Sequence, residues 1–288
     1  MKKKITILGH QNPDVDSIIS GVLLSEYLTF KGHDCSYVIP DTSVDEESAE
    51  IVSLFGIDCK KYQNNIPDGS DLILVDHHET TFDGKVLAVI DHHPTLKEFD
   101  YPVYINKKSS STSKLIYDIV KGENETFLTK EFIRRVLVAM LVDTCSFKSS
   151  KTNPSDIPWT QDICKKLDLD FEELKKIGYC LTNLDNIHKA SIHGFKQFKY
   201  DNKVVKTSYI QRDSFNQDKI SQIVNILQEK VISEEIFMWM FLVTDIEAEK
   251  SLEYRIYSDK VELFKHDFIA SRGSNIMPEI ERIIKNDK

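Results

Sequence analysis

Gly9-His10-Gln11-Asn12-Pro13-Asp14-Val15-Asp16-Ser17 sets one imidazole and two carboxylates close together near the start of the chain. A histidine followed four and six positions later by aspartates, in a loop stiffened by proline, suits a hard or borderline divalent cation. The preceding apolar run Ile5-Thr6-Ile7-Leu8 predicts a strand. The apolar spacing over 18–30 predicts a helix. Pro13 keeps residue 12 out of regular helix and helps aim the short carboxylates. The cluster therefore falls in a strand-to-helix turn, at the edge of an open α/β sheet where ligands bind. One aspartate could equally cap the helix, a role that calls for neither His10 nor a second acid.

Three more segments repeat the theme. Leu72-Ile73-Leu74-Val75 runs into Asp76-His77-His78-Glu79, and Val86-Leu87-Ala88-Val89-Ile90 runs into Asp91-His92-His93-Pro94. A predicted helix over 132–142 ends in Asp143-Thr144-Cys145-Ser146-Phe147-Lys148-Ser149-Ser150. Any one such pair is more often a satisfied core histidine or a helix cap. The repetition of His10, Asp14, Asp16, Asp76, His92, His93 and Asp143 at predicted edges favours a metal site. Oxygen-rich ligands with imidazoles and no thiolate favour manganese, magnesium, cobalt or iron over structural zinc. Even six of these, leaving His93 aside, exceed what one ion with open positions would use. Two ions about 3.5–4 Å apart, bridged by a carboxylate and a water, fit better and suit in-line displacement at phosphorus. Cations for an anionic substrate are then sought at Lys189 and in Ser271-Arg272-Gly273-Ser274-Asn275, where Arg272 could equally be a solvated surface charge.

These residues need a scaffold. Continuous apolar strands fit a parallel sheet buried on both faces, with further strands expected over 35–39 and 101–105. Helices are expected from 46 to near Gly56, opening at 107–113, and over 160–166 and 171–180. The texture changes near 184–194. Beyond it, strand-like segments at 195–209, 236–243, 254–257 and 261–264 alternate with helices over 221–230 and from 277. The expected fold class is α/β: a mostly parallel sheet flanked by helices over 1–186, a linker over 187–193, and a smaller mixed α+β domain over 194–288.

The chain has 288 residues, 41% hydrophobic and 29% charged, an ordinary composition with material for two cores. A net charge of −9 and a pI near 5.5 argue against a nucleic-acid duplex as partner. No apolar run approaches the ~18–20 residues of a membrane helix, and the basic start leads into a strand too short for a signal peptide. Cys35, Cys59, Cys145, Cys164 and Cys180 are scattered without a C-x-x-C, which predicts reduced thiols and a cytoplasmic location.

The motifs at 9–17, 75–79, 90–93 and 143–149 resemble those of the family II, manganese-dependent inorganic pyrophosphatases of the DHH phosphoesterase superfamily. Ser271-Arg272-Gly273-Ser274-Asn275 resembles the Ser-Arg-Lys-x-Gln signature of their DHHA2 domain. The resemblance runs the full length. It implies hydrolysis of pyrophosphate to two phosphates by a water bridging two divalent ions, manganese first, with cobalt or magnesium as alternatives. It implies that His10 and Asp14 hold one ion, that Asp16, His92 and Asp143 hold the other, and that Asp76 bridges. His93 would protonate the leaving phosphate, Arg272 and Lys189 would grip the phosphoryl group, Lys148 would neutralise charge, and Asn275 would stand in the clamp. Ser111 and Thr112 lie where the family offers a helix start to a phosphate, or they are ordinary caps. A homodimer is what the resemblance suggests.

Two departures bear on substrate. Gly273 stands where the family has lysine, and His78 stands where it has asparagine, either touching substrate or supporting the site from behind. One alternative is therefore a DHH-DHHA2 phosphoesterase acting on short-chain polyphosphate or a nucleotide. The other is a regulator that binds phosphate or nucleotide without turnover.

Overall fold

The apolar runs pair side by side in one parallel sheet. The computed structural model describes residues 4–40, 44, 46–95, 98–179, 181–200 and 202–286; Cys180 and residues 1–3 lie outside them. In chain order come β1 (Ile5–Leu8), α1 (Val15–Phe30), β2 (Cys35–Val38), α2 (Glu46–Ser53), β3 (Asp71–Val75), β4 (Lys85–Asp91) and β5 (Val103–Asn106). Helices α3 (Thr112–Asn124), α4 (Lys130–Asp143), α5 (Asp156–Leu167) and α6 (Phe171–Gly178) follow. The strand order is β2-β1-β3-β4-β5, with every pairing parallel.

Ile7, Leu72, Leu74, Val75 and Val89 have no accessible surface, as unalternating apolar strands in a parallel sheet require. Helix α4 is buried continuously from Val136 to Leu141. Gly21 lets α1 approach β2, since a Cβ there would lie 2.3 Å from the Tyr37 ring.

Then come α7 (Ile187–Ser191), β6 (Lys196–Tyr200), β7 (Lys203–Arg212), α8 (Gln217–Ser233), β8 (Met238–Asp245), β9 (Lys250–Ile256) and β10 (Val261–His266). A π-helical turn, Arg272–Ile276, leads into α9 (Met277–Asn286). This sheet is mixed, in the order β10-β9-β8-β7-β6, with β7 and β8 parallel and the other neighbours antiparallel. Its centre is β8. Trp239, Phe241 and Val243 pack with Ile220, Ile223 and Leu227 of α8, and Met238, Met240 and Leu242 pack with Met277, Ile280 and Ile284 of α9. Strand period two thus divides one apolar run between two helices. Buried charges here are paired: Glu253 accepts from Arg255 Nε at 2.5 Å and lies 2.9 Å from His266 Nε2.

The architecture is the expected one, a parallel α/β sheet flanked by helices and a second mixed-sheet domain. The chain divides into two compact units, residues 1–147 with 151–178, and residues 148–150 with 179–288. Residues 148–150 join the second unit through a parallel bridge from Ser149 to Ile269 and a bond from Ser150 Oγ to Asn275 Oδ1 at 3.1 Å. Residues 187–191, inside the expected linker, form α7, whose Ala190 is buried in that unit's core.

Candidate metal centre

The turn from β1 to α1 is built tightly. Asn12 adopts the left-handed region (φ 53°), Asp14 caps α1 by accepting from Ser17 N–H at 3.1 Å, and His10 N–H donates to Ser17 Oγ at 3.1 Å. A Cβ on Gly9 would lie 2.3 Å from that hydroxyl, so the close approach needs glycine. Asp14 therefore does cap the helix, and it also faces His10 at 3.4 Å.

Three overlapping groups of metal-type ligands form among the described residues of the first unit: His10, Asp14 and Asp76; Asp76, His92 and His93; and Asp16, His92 and Asp143. Asp76 connects them. Its Oδ2 lies 3.4 Å from His10 Nε2, and its Oδ1 lies 3.5 Å from His92 Nε2 and 3.6 Å from His93 Nδ1. Asp76 follows β3 directly and adopts the left-handed region (φ 64°), a strained conformation of the kind that clusters at functional sites.

The ring nitrogens decide what these groups can bind. His92 Nδ1 lies 3.0 Å from Ser109 O and His10 Nδ1 lies 2.9 Å from Gln11 O. A carbonyl only accepts, so each Nδ1 carries the proton and each Nε2 presents a lone pair. His92 Nε2 lies 3.1 Å from Asp143 Oδ2. His10 Nε2, His92 Nε2 and Asp143 Oδ2 are buried and make no hydrogen bond. Burial, and then the charges of Asp16, Asp14, Asp143 and Asp91, push the Asp76 carboxyl well above the ordinary carboxylate range; burial also raises Asp16. Converging acceptors that lack donors and resist ionisation among themselves fit divalent cations. Burial lifts the Cys145 thiol up to about 12, so it stays uncharged beside the site.

Asp16 is held differently. Thr112 N–H and Ser113 N–H donate to its two oxygens at 2.7 and 3.0 Å, and Ser113 Oγ donates at 2.6 Å. The start of α3 thus spends its amides on Asp16 rather than on a free phosphate, while Ser111 Oγ caps Lys114 N–H. His93 Nδ1 lies 2.9 Å from Asp91 Oδ1, and His78 Nδ1 lies 2.6 Å from Asp91 Oδ2. These bonds hold the Asp91 carboxyl well below its ordinary range despite its burial. Tyr101 Oη donates to His78 O and Asn106 Nδ2 to His93 O, both at 2.9 Å, which fixes the two Asp-His-His loops. Burial lowers the His93 imidazole, against the Asp91 bond that raises it.

Four of the expected substrate contacts, Lys148, Lys189, Arg272 and Asn275, belong to the second unit. Lys148 Nζ donates to Ile246 O at 2.9 Å within the second unit. Arg272 donates to Gly194 O and, at 3.3 Å, to Thr207 Oγ1, and its guanidinium lies 5.5 Å from the Tyr209 ring centre. Asn275 Oδ1 accepts from Ser271 N–H at 2.7 Å. Lys189 lies exposed on α7. Sequence reasoning missed Asp91, Ser109, Ser113 and Lys151. The repeated Asp-His-His pattern could have signalled Asp91. Nothing marked Ser109 or Lys151, since a backbone acceptor and a loop lysine carry no pattern.

Residues 4–142 match the family model described as the DHH family, N-terminal domain. More particularly, the chain is similar along nearly its whole length to proteins named for one activity. A Streptococcus agalactiae protein named probable manganese-dependent inorganic pyrophosphatase is 28% identical, covering 96% of this chain and 97% of its own. The manganese-dependent inorganic pyrophosphatase of Methanocaldococcus jannaschii is 26% identical over 96% of this chain and 98% of its own. In fold, the chain is similar to a Methanococcus jannaschii crystal structure assigned to the family II inorganic pyrophosphatases, with a TM-score of 0.74 at 24% identity over 96% of this chain and 98% of that one.

Proposed function

We propose that this protein hydrolyses inorganic pyrophosphate to two phosphates at the site centred on Asp76, with two divalent cations, manganese foremost. The observation that carries the reading is the division of one buried carboxylate: Asp76 turns one oxygen to His10 and the other to His92. In this reading His10 and Asp14 hold one cation, Asp16, His92 and Asp143 hold the other, and Asp76 serves both. Such a pair, when bound, supplies an activated water and offsets the negative charge of a phosphoric anhydride.

The chain's own residues prepare the rest. Ser109 O and Gln11 O fix the tautomers of His92 and His10 so that lone pairs face the cations. Asp91 holds His93 by Nδ1 and leaves Nε2 to pass a proton to the departing phosphate, a step that contributes about 10²–10⁴-fold where measured. His78 braces the other oxygen of Asp91. Substrate contacts at Arg272, Lys189, Lys148 and Asn275, a homodimer and a cytoplasmic location belong to the same proposal. Among the described residues no helix is long and apolar enough to cross a membrane.

One feature favours a second reading, action on short-chain polyphosphate or a nucleotide: Gly273 leaves that turn without the lysine expected in a pyrophosphate clamp. Phosphate release with manganese, compared across pyrophosphate, tripolyphosphate and a nucleotide panel, decides. Strong preference for pyrophosphate supports the first reading, and preference for a longer or nucleoside substrate supports the second. No release on any substrate by manganese-loaded protein would refute both and leave a non-catalytic regulator.

A further inference from the structure

One cation at the site has no part in that scheme. Lys151 Nζ hydrogen-bonds Asp143 Oδ1, with the two side chains 27% and 11% exposed. Ordinary surface pairs of this type are solvated and contribute little. This pair differs in three ways. Its carboxylate belongs to the Asp16–His92–Asp143 group. Asp143 is the last residue of α4, at the negative end of the helix dipole, where an added carboxylate is disfavoured and a cation is drawn in. Its second oxygen is buried without a hydrogen bond, 3.1 Å from His92 Nε2. Lys151 thus takes one oxygen and leaves the other to the ligand group.

The ammonium acts beyond its partner. It feels the charges of Asp14 and Asp76, and His93 feels it in turn. The Lys151 ammonium is hydrogen-bonded to a carboxylate of the ligand group itself. Two divalent cations would balance the four ligand carboxylates of Asp14, Asp16, Asp76 and Asp143, so the charge of Lys151 comes on top of that balance.

We propose that Lys151 is a built-in monovalent cation of this centre, which weakens divalent metal binding at the Asp16–His92–Asp143 group and supplies positive charge to an anionic phosphate substrate. The second half rests on the proposed hydrolase reading; the first does not. Two effects of opposite sign follow, because one charge repels the metal and attracts the phosphate.

The test uses the full chain stripped with chelator, with manganese binding followed by the electron paramagnetic resonance of the free ion. K151M should bind one of its manganese ions, that of the Asp16–His92–Asp143 group, roughly tenfold more tightly and raise the KM for pyrophosphate roughly tenfold, the order expected for removing one charge from a partly hydrated site. K151R should keep wild-type values for both, and K151Q serves in place of K151M should the latter not fold. A lysine that merely held the loop would, on removal, weaken metal and substrate binding together. Unchanged or weaker manganese binding in a folded variant overturns the proposal, and tightened metal with an unchanged KM overturns its substrate half. Manganese affinity is read without substrate, so a failure of the hydrolase reading, seen as no phosphate release by wild type, is distinguishable from a failure here.

Discussion

Asp76→Asn should make the protein more stable without metal and less stable with it. The side chain is 2% exposed, and burial with neighbouring carboxylates disfavours its charge. Asparagine keeps the shape and the acceptor for Thr112 Oγ1, now 3.0 Å from Asp76 Oδ1. Its amide NH₂ would replace Oδ2, 3.4 Å from the lone pair on His10 Nε2, and turn a repulsion into a hydrogen bond. Relief of one buried like charge is worth about 1–3 kcal/mol in chelator. At roughly 2–4 °C per kcal/mol for a unit of this size, Tm should rise by about 4–8 °C for a gain near the middle of that range. Manganese at about a thousand times its Kd adds about 4 kcal/mol to the wild type through binding the native state alone. The variant, deprived of the oxygen that faces His10 and of the negative charge that both groups share, should gain little. Thermal melts by circular dichroism, with chelator and with manganese chloride, read both arms. An Asp76→Asn protein that melts below wild type in chelator, or gains as much from manganese, would refute the electrostatic reasoning.

Other substitutions separate the remaining roles. His93→Gln should lower kcat about 10²–10⁴-fold while leaving manganese binding near wild type; a loss of metal instead would make His93 a ligand. Gly273→Lys should fold normally, since a Cβ there meets nothing within 4 Å and the backbone is not left-handed, and it should lower the KM for pyrophosphate several-fold. An unchanged KM would count against a phosphate clamp at that turn. His77, with Nδ1 2.9 Å from Val75 O, is lowered by burial to about 4. A depressed imidazole favours the neutral form in the folded state, so its stability contribution is complete above the unfolded value near 6.5 and is lost as pH falls toward 4. Urea midpoints at pH 7 and pH 5 should therefore differ more for wild type than for His77→Gln, and equal differences would contradict the buried neutral imidazole.

The sequence showed the site better than it showed what steadies the site. Strand β1 was legible because four residues of apolar sequence end at a turn-forming glycine, and β8 because its apolar run is long enough to be buried on both faces. The ligand groups were legible because metal chemistry restricts residue type and the strand ends repeat it. Helix α7 was not, since five residues give too little periodicity to distinguish a helix from a polar connection. Nor was the left-handed turn of Cys145, Ser146 and Phe147 (φ 48°, 55° and 68°), because residues with a Cβ gave no glycine signal for it. The amides of Thr112 and Ser113 that hold Asp16 come from a position 96 residues away, and backbone donors leave no mark on residue type. Lys151 looks like any loop lysine until Asp143 stands beside it.

Two cations sharing Asp76 are the centre of the proposed chemistry. Crystals grown with manganese and measured at its absorption edge test this most directly. The account predicts two anomalous peaks per chain, one among His10, Asp14 and Asp76 and the other among Asp16, His92, Asp143 and Asp76. A single peak, or a pair that leaves Asp76 uncoordinated, would contradict it.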